Sequence, residues 1–201
     1  MADFTREREA YLQGVLAPAG VDEVGRGCLF GPVVAAAVVL DPLRIPDGLK
    51  DSKKLTPRKR GVLSQHIFAT ARGVSVGWAT AAEIDEHNIL GATRLAMRRA
   101  LRHLSPRPDY VLVDAIDPQT LGFPGEGIIG GDGLCLSIAA ASIVAKVFRD
   151  DLMVRFSHLY PAYGLDKNKG YPTSFHASML SLNGLTPFHR STFRTGSWPS
   201  R

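Results

Sequence analysis

Eight apolar residues stand in succession at Val33-Val-Ala-Ala-Ala-Val-Val-Leu40, directly after the turn signal Gly31-Pro32. A membrane span needs about 20 apolar residues, so this run is far too short to be one. It reads instead as a buried β-strand bounded by a Gly-Pro turn. A buried strand must be covered by other elements, which directs the chain toward a layered α/β architecture. The remaining pattern fits. Residues 19–23, 74–79, 110–114 and 127–129 read as strands. Thr56 followed by Pro57 is a helix start, with Thr as the N-cap and Pro at the first helical position, and that helix should run to about residue 71. Residues 82–104 read as a helix broken near Asn88, residues 137–159 as a long helix, and residues 173–182 as a short one. The expected organisation is an α/β unit over residues 1–160. A small C-terminal helical segment and a Pro-, Ser- and Thr-rich tail follow over residues 161–201. A chain of 201 residues can build one such domain with a full core.

Charge and cysteine content narrow the function classes. The net charge of +5, from 24 Lys and Arg against 19 Asp and Glu, points weakly to a polyanionic partner. The first 14 residues are charged, unlike a secretory signal, so neither export nor membrane insertion is expected. Two cysteines, Cys28 and Cys135, without a CxxC pair exclude a cysteine-based zinc site and suggest reduced thiols and a cytoplasmic location. None of the six histidines forms a HExxH pair, and GxSxG, Walker A and Rossmann fingerprints are missing.

The chemistry concentrates in acids. Asp22 and Glu23 are adjacent, and like charges so placed repel and raise each other's pKa unless a cation sits between them. Gly25-Arg26-Gly27 follows, where glycines permit a close backbone approach. Asp114 ends one expected strand, and Asp132 follows another. Neighbouring strand ends converge in α/β sheets. Carboxylates gathered there could hold two Mg²⁺ or Mn²⁺ ions about 4 Å apart, an arrangement suited to phosphodiester hydrolysis. One ion would activate water and the other would neutralise the departing 3′ oxygen. Asp51, Asp117 and Asp150 compete for the same role, and spacing alone does not choose among them. Asp114 also reads as a turn residue and Asp132 as a helix N-cap.

Five ordered motifs resemble the bacterial type 2 ribonuclease H family, ribonuclease HII. They are Val21-Asp-Glu-Val-Gly-Arg-Gly27, Asp51-Ser-Lys-Lys-Leu55, the strand ending at Asp114, Ala140-Ala-Ser-Ile-Val-Ala-Lys-Val-Phe-Arg-Asp150, and Lys169-Gly-Tyr-Pro-Thr173 with His176. Thr186-Pro-Phe-His-Arg190 resembles the closing motif of that family. The resemblance, over about residues 18–193, implies a ribonuclease H-like fold with a central mixed sheet flanked by helices. It implies a metal-dependent endonuclease that cuts 5′ of a ribonucleotide, in RNA–DNA hybrids and in DNA duplexes with an embedded ribonucleotide. The products would carry 3′-hydroxyl and 5′-phosphate ends. The metal-binding and catalytic acids implied are Asp22, Glu23, Asp114 and Asp132. Gly130 stands where the family usually has Lys, and Ala115 where Gly is common.

The same resemblance makes Gly25, Arg26 and Gly27 a backbone sensor for the 2′-hydroxyl and Tyr171 a platform for the sugar 3′ to the cut. Ser52 and Lys53 lie in a loop able to hold a phosphate. On the long helix Ser142, Lys146 and Arg149 share a face, from which Lys146 and Arg149 could reach phosphates or Arg149 could pair with a nearby acid. Arg98, Arg99 and Arg102 read as a solvated helix face. The alternative of a non-catalytic nucleic-acid binding module on the same fold fits poorly with a dense acidic cluster. A monomer is expected.

Overall fold

A computed structural model describes residues 2–50 and 52–193. Asp51 and the tail beyond Phe193 lie outside the described residues. The five strands are β1 (Pro18–Val24), β2 (Val33–Val39), β3 (Gly73–Ala79), β4 (Tyr110–Asp114) and β5 (Gly125–Ile128). They form one mixed sheet in the order β3-β2-β1-β4-β5. β3, β2 and β1 pair antiparallel, while β4 lies parallel to β1 and β5 parallel to β4. The helices are α1 (Thr5–Leu12), α2 (Pro57–Thr70), α3 (Ala81–His103), α4 (Leu136–Leu159), α5 (Leu165–Asn168) and α6 (Ser174–Asn183). Among the described residues no helix is long and apolar enough to cross a membrane.

Every residue of β2 is buried, because helices cover both faces of the sheet. Val33, Ala35, Ala37 and Val39 point into a core shared with α3. Val34, Ala36 and Val38 point into one shared with α2 and α4. The alternation of a strand thus feeds two apolar layers. The expected elements fall within one or two residues of those observed.

Thr56 caps α2 through the Lys59 amide. Thr80 and Glu83 form a capping box at α3, and Asn88 interrupts that helix with φ 57° while its side chain accepts from the Leu90 and Gly91 amides. Asn88 therefore breaks the helix and caps its restart. The solvated face expected for Arg98, Arg99 and Arg102 is only partly so. Arg99 donates to both Glu83 oxygens and to the Trp78 carbonyl, and Arg98 donates to the Thr120 carbonyl.

The Arg99 hydrogen bond, with help from the Thr80 amide, holds the Glu83 carboxyl down at about 2. A lowered folded-state pKa stabilises above the ordinary value of 4.5 and is lost as pH falls through about 2. We expect Glu83→Gln to flatten the acid limb of the stability curve in that window, measured by thermal melts. A partly exposed pair of this kind contributes about 0.2–1 kcal/mol.

Two features depart from the expectation. The charged N-terminal segment forms α1, whose Glu7 is buried and accepts from the Ser137 amide and the Cys135 thiol. Glu7 thereby caps the start of α4 from a distant element. The C-terminal tail enters the core at His189 and Arg190, both buried. α5 and α6 bring Leu165 and Leu180 against Leu29, Phe30 and Met153.

Candidate active site

Because β1, β4 and β5 run parallel, their C-terminal ends share one edge of the sheet. Val21 is registered with Val113 and Asp114 with Ile128, so Asp22 and Asp114 come next along adjacent strands. Side chains alternate, which turns Asp22 toward α4, where the nearby Ser142 hydroxyl favours its charged form. Ser142 is also 2.9 Å from the Ser52 hydroxyl. Asp22 Oδ1 accepts the Glu23 amide at 2.8 Å.

Burial, followed by the charges of Glu23 and Asp114, pushes the Asp22 carboxyl well above its usual range. Burial also raises Glu23, against the opposing pull of Arg26, which lies 3.3 Å away. Asp114 Oδ1 accepts the Gly131 amide at 2.8 Å. That bond ties the strand end to the turn Gly131–Gly133, which carries Asp132.

The structure thus brings Asp22, Glu23 and Asp114 into one electrostatic cluster, with Asp132 on the adjoining turn. Among the described residues, no group of three or more such side chains stands ready-made to hold a metal ion. The donors nevertheless fit a hard divalent cation. All are carboxylate oxygens, and Glu23 Oε2 is buried without a hydrogen-bond partner. A buried unpaired carboxylate oxygen is costly to leave so, and a cation would satisfy it.

The residues expected around the acids differ in what they do. Lys53 Nζ reaches Asp132 Oδ2 at 3.4 Å, so a cation does stand beside the acids although Gly130 replaces the usual lysine. Gly130 has φ 68° and Ala115 has φ 51°. The family's preference for glycine after the third acid has a physical reason here, because Ala115 occupies a left-handed conformation that costs a residue with a Cβ about 1 kcal/mol. Ser52 is buried and its hydroxyl faces Ser142, while Arg60 holds its carbonyl. Lys146 pairs with Asp150 at 2.7 Å and lies over the Tyr171 ring. Tyr171 is 38% exposed, open enough to meet a sugar. Arg26 and Gly27 are exposed.

Arg149 is a correction. It contacts neither phosphate-facing solvent nor an acid. It is fully buried and donates to the carbonyls of Phe30, Pro32 and Lys169. Of the competing acids, Asp117 caps a short turn at Gln119, and Asp150 pairs with Lys146 and Arg60. Sequence reasoning placed Ser142 only on a helix face and Arg190 only in the closing motif, and gave neither a site role. Position 142 carried a signal, a hydroxyl on the face of α4 that meets the acids. Arg190 carried only its place in the closing motif, since an arginine by itself reads as a surface residue. Its guanidinium is buried among carbonyls, and that burial lowers it to about 10.

Comparison with known proteins gives a consistent result. A family model described as Ribonuclease HII matches residues 19–196. A protein of Ruegeria pomeroyi named ribonuclease HII is 53% identical, over 96% of this chain and 82% of its own. The ribonuclease H2 structure from Pyrococcus horikoshii superposes with a TM-score of 0.76 at 29% identity, covering 89% of this chain and 94% of that one. The ribonuclease HII of the PCNA complex from Archaeoglobus fulgidus does so at 0.76 and 26%, covering 90% and 96%.

Proposed function

Since the chain belongs to the ribonuclease HII family, we propose that it hydrolyses the phosphodiester 5′ of a ribonucleotide with Asp22, Glu23, Asp114 and Asp132 as its metal-holding acids. It is an endonuclease of RNA–DNA hybrids, as its family is. The further reach to a lone ribonucleotide in duplex DNA rests on one juxtaposition. The buried Asp22 and the half-buried Glu23, near the end of β1, lie just before Arg26 and Gly27. Among the described residues, the amides of those two have no hydrogen-bond partner. Unpaired, exposed amides can meet a 2′-hydroxyl, which both donates and accepts.

The cofactor is a divalent cation, and all-oxygen donors favour Mg²⁺ or Mn²⁺ over zinc. When bound, such ions supply a Lewis acid for water and for the departing oxygen. The chain's own residues do the rest. The Glu23 amide orients Asp22, and the Gly131 amide orients Asp114. Lys53 offers a positive charge beside Asp132, where the phosphate backbone would pass. Lys146 and Tyr171 form one wall for the strand carrying the ribonucleotide, and Ser52 secures the loop that carries Lys53. Residues 1–160 would supply the catalytic unit and residues 161–201 further substrate contacts, in a protein acting as a monomer on cytoplasmic DNA.

The test is cleavage of a labelled DNA duplex carrying one ribonucleotide, with Mg²⁺ or Mn²⁺. A single cut on the 5′ side of the ribonucleotide is the expected result. Cleavage confined to continuous hybrid would discard the Arg26–Gly27 assignment while leaving the acids in place.

A further inference from the structure

The loop that would read the ribose is not held by its own strand alone. Arg190, 159 to 165 residues away in sequence, donates from Nη2 to the Gly25 carbonyl at 2.7 Å, from Nη1 to the Arg26 carbonyl at 2.8 Å and from Nε to the Gly31 carbonyl at 3.0 Å. Its side chain is fully buried, with no carboxylate at ion-pair distance among the described residues. Gly25, at φ 91°, is pressed against a second guanidinium, since a Cβ there would stand 2.2 Å from Arg149 Nε. With the carbonyls of Gly25 and Arg26 pinned inward, the amides of Arg26 and Gly27 are left to the solvent side.

The neighbouring residue serves the other half of the reader. The Thr186 amide donates to His189 Nδ1 at 3.0 Å, which fixes the His189 proton on Nε2. His189 Nε2 then donates to His176 Nε2 at 3.2 Å, and His176 Nδ1 donates to the Tyr171 carbonyl at 3.0 Å. Both imidazoles are buried. Adjacent residues of one segment therefore hold the Gly-Arg-Gly loop and the Tyr171 loop at fixed positions. Asp85 on α3 anchors that segment from outside by accepting the amides and hydroxyls of Ser191 and Thr192.

We infer that Arg190 is a positioning residue for ribose recognition, setting the Gly25–Gly27 backbone so that its free amides face the 2′-hydroxyl. The inference rests on the reading of that loop as the ribose sensor. Arg190 touches no substrate and acts only through the loop. A lysine in its place reaches fewer carbonyls and lacks the planar fork that holds three at once.

The experiment compares binding of two labelled duplexes by fluorescence anisotropy in Ca²⁺, one all-DNA and one with a single ribonucleotide. The wild type should prefer the ribonucleotide duplex. Arg190→Lys should lower that preference by about tenfold, the effect of one lost charge-assisted hydrogen bond, while affinity for all-DNA duplex stays near the wild-type value. A merely structural role would reduce the folded fraction and weaken both duplexes together, leaving the ratio unchanged. Asp85→Ala, at a half-buried position on α3 outside the site, provides a second variant and should lower the ratio less, in the same direction. A wild type that binds the two duplexes equally would overturn the ribose-sensor reading and this inference with it. A wild type that prefers the ribonucleotide, with both variants keeping its ratio, would overturn the role of Arg190 alone.

Discussion

Asp22→Asn should abolish cleavage while leaving the protein at least as stable as the wild type. The amide keeps the shape of the carboxyl and an oxygen for the Glu23 amide, which Asp22 now accepts. What it removes is one negative charge from the cation-holding set. Loss of several kcal/mol of transition-state stabilisation corresponds to a fall in rate on the order of 10³-fold. Stability should move the other way. In the absence of cation, burial and the charges of Glu23 and Asp114 disfavour the charged form of Asp22. Replacing it removes repulsion that the fold otherwise carries.

The decisive measurement pairs kinetics with thermal melts across a Mn²⁺ titration. The wild-type melting temperature should rise with Mn²⁺, because ligand binding to the native state stabilises it, and Asp22→Asn should lose most of that rise. A variant retaining more than about a tenth of wild-type activity, a loss of under ~1.4 kcal/mol, would remove Asp22 from the catalytic set. A large drop in melting temperature without cation would make its role structural instead.

Gly20→Ala is the substitution expected to cost most in stability. Gly20 lies on β1, two residues before Asp22, where the first turn of α4 crosses the sheet. A Cβ there would fall 2.1 Å from the Ser137 carbonyl carbon and 2.3 Å from the Ile138 amide nitrogen. These are backbone atoms at the start of a helix capped by Glu7, so neither can swing aside as a side chain would. The helix must move off the strand. Forced overpacking costs about 1–3 kcal/mol and more where backbone is involved. At ~3 kcal/mol, a domain of this size would lose about 6–12 °C in melting temperature. The same displacement lifts Ser142 from Asp22, so activity should fall even at temperatures where the variant is folded. A melting temperature within about 2 °C of wild type, under ~1 kcal/mol, would show that strand and helix can separate without cost.

These two positions illustrate what the sequence made legible. The acids at 22, 23, 114 and 132 were chosen by motif resemblance, since Asp117 and Asp150 fit the spacing argument equally well. The structure shows why those two serve elsewhere, one as a turn cap and the other as a partner of Arg60 and Lys146. The strands and most helices were readable because local chemistry and tertiary burial agree. An unbroken apolar run became β2, Thr56-Pro57 opened α2, and Asn88 broke α3. Gly20 carried a usable signal as well, since a glycine inside a strand marks close approach of another backbone.

α1 escaped notice because it buries only Glu7 and Ala10, too little to produce an apolar stripe. The buried arginines escaped for a different reason. Their burial is decided by carbonyls supplied by loops far away in sequence, and no local pattern records that.

The sheet order also bears on how the enzyme comes to exist during synthesis. β1, β2 and β3 form an antiparallel meander that can assemble from the first 79 residues. Asp114 and Asp132 join it only after the chain has crossed over to β4 and β5. Arg190 is later still in chain order, yet it pins the loop opened by Gly25. If the proposed roles hold, a nascent chain presents its first two acids long before the four acids can gather, and gathers those acids before Arg190 can set the loop at Gly25. On that proposal, selectivity for ribose is acquired after the acids themselves, when the segment carrying Arg190 has been made.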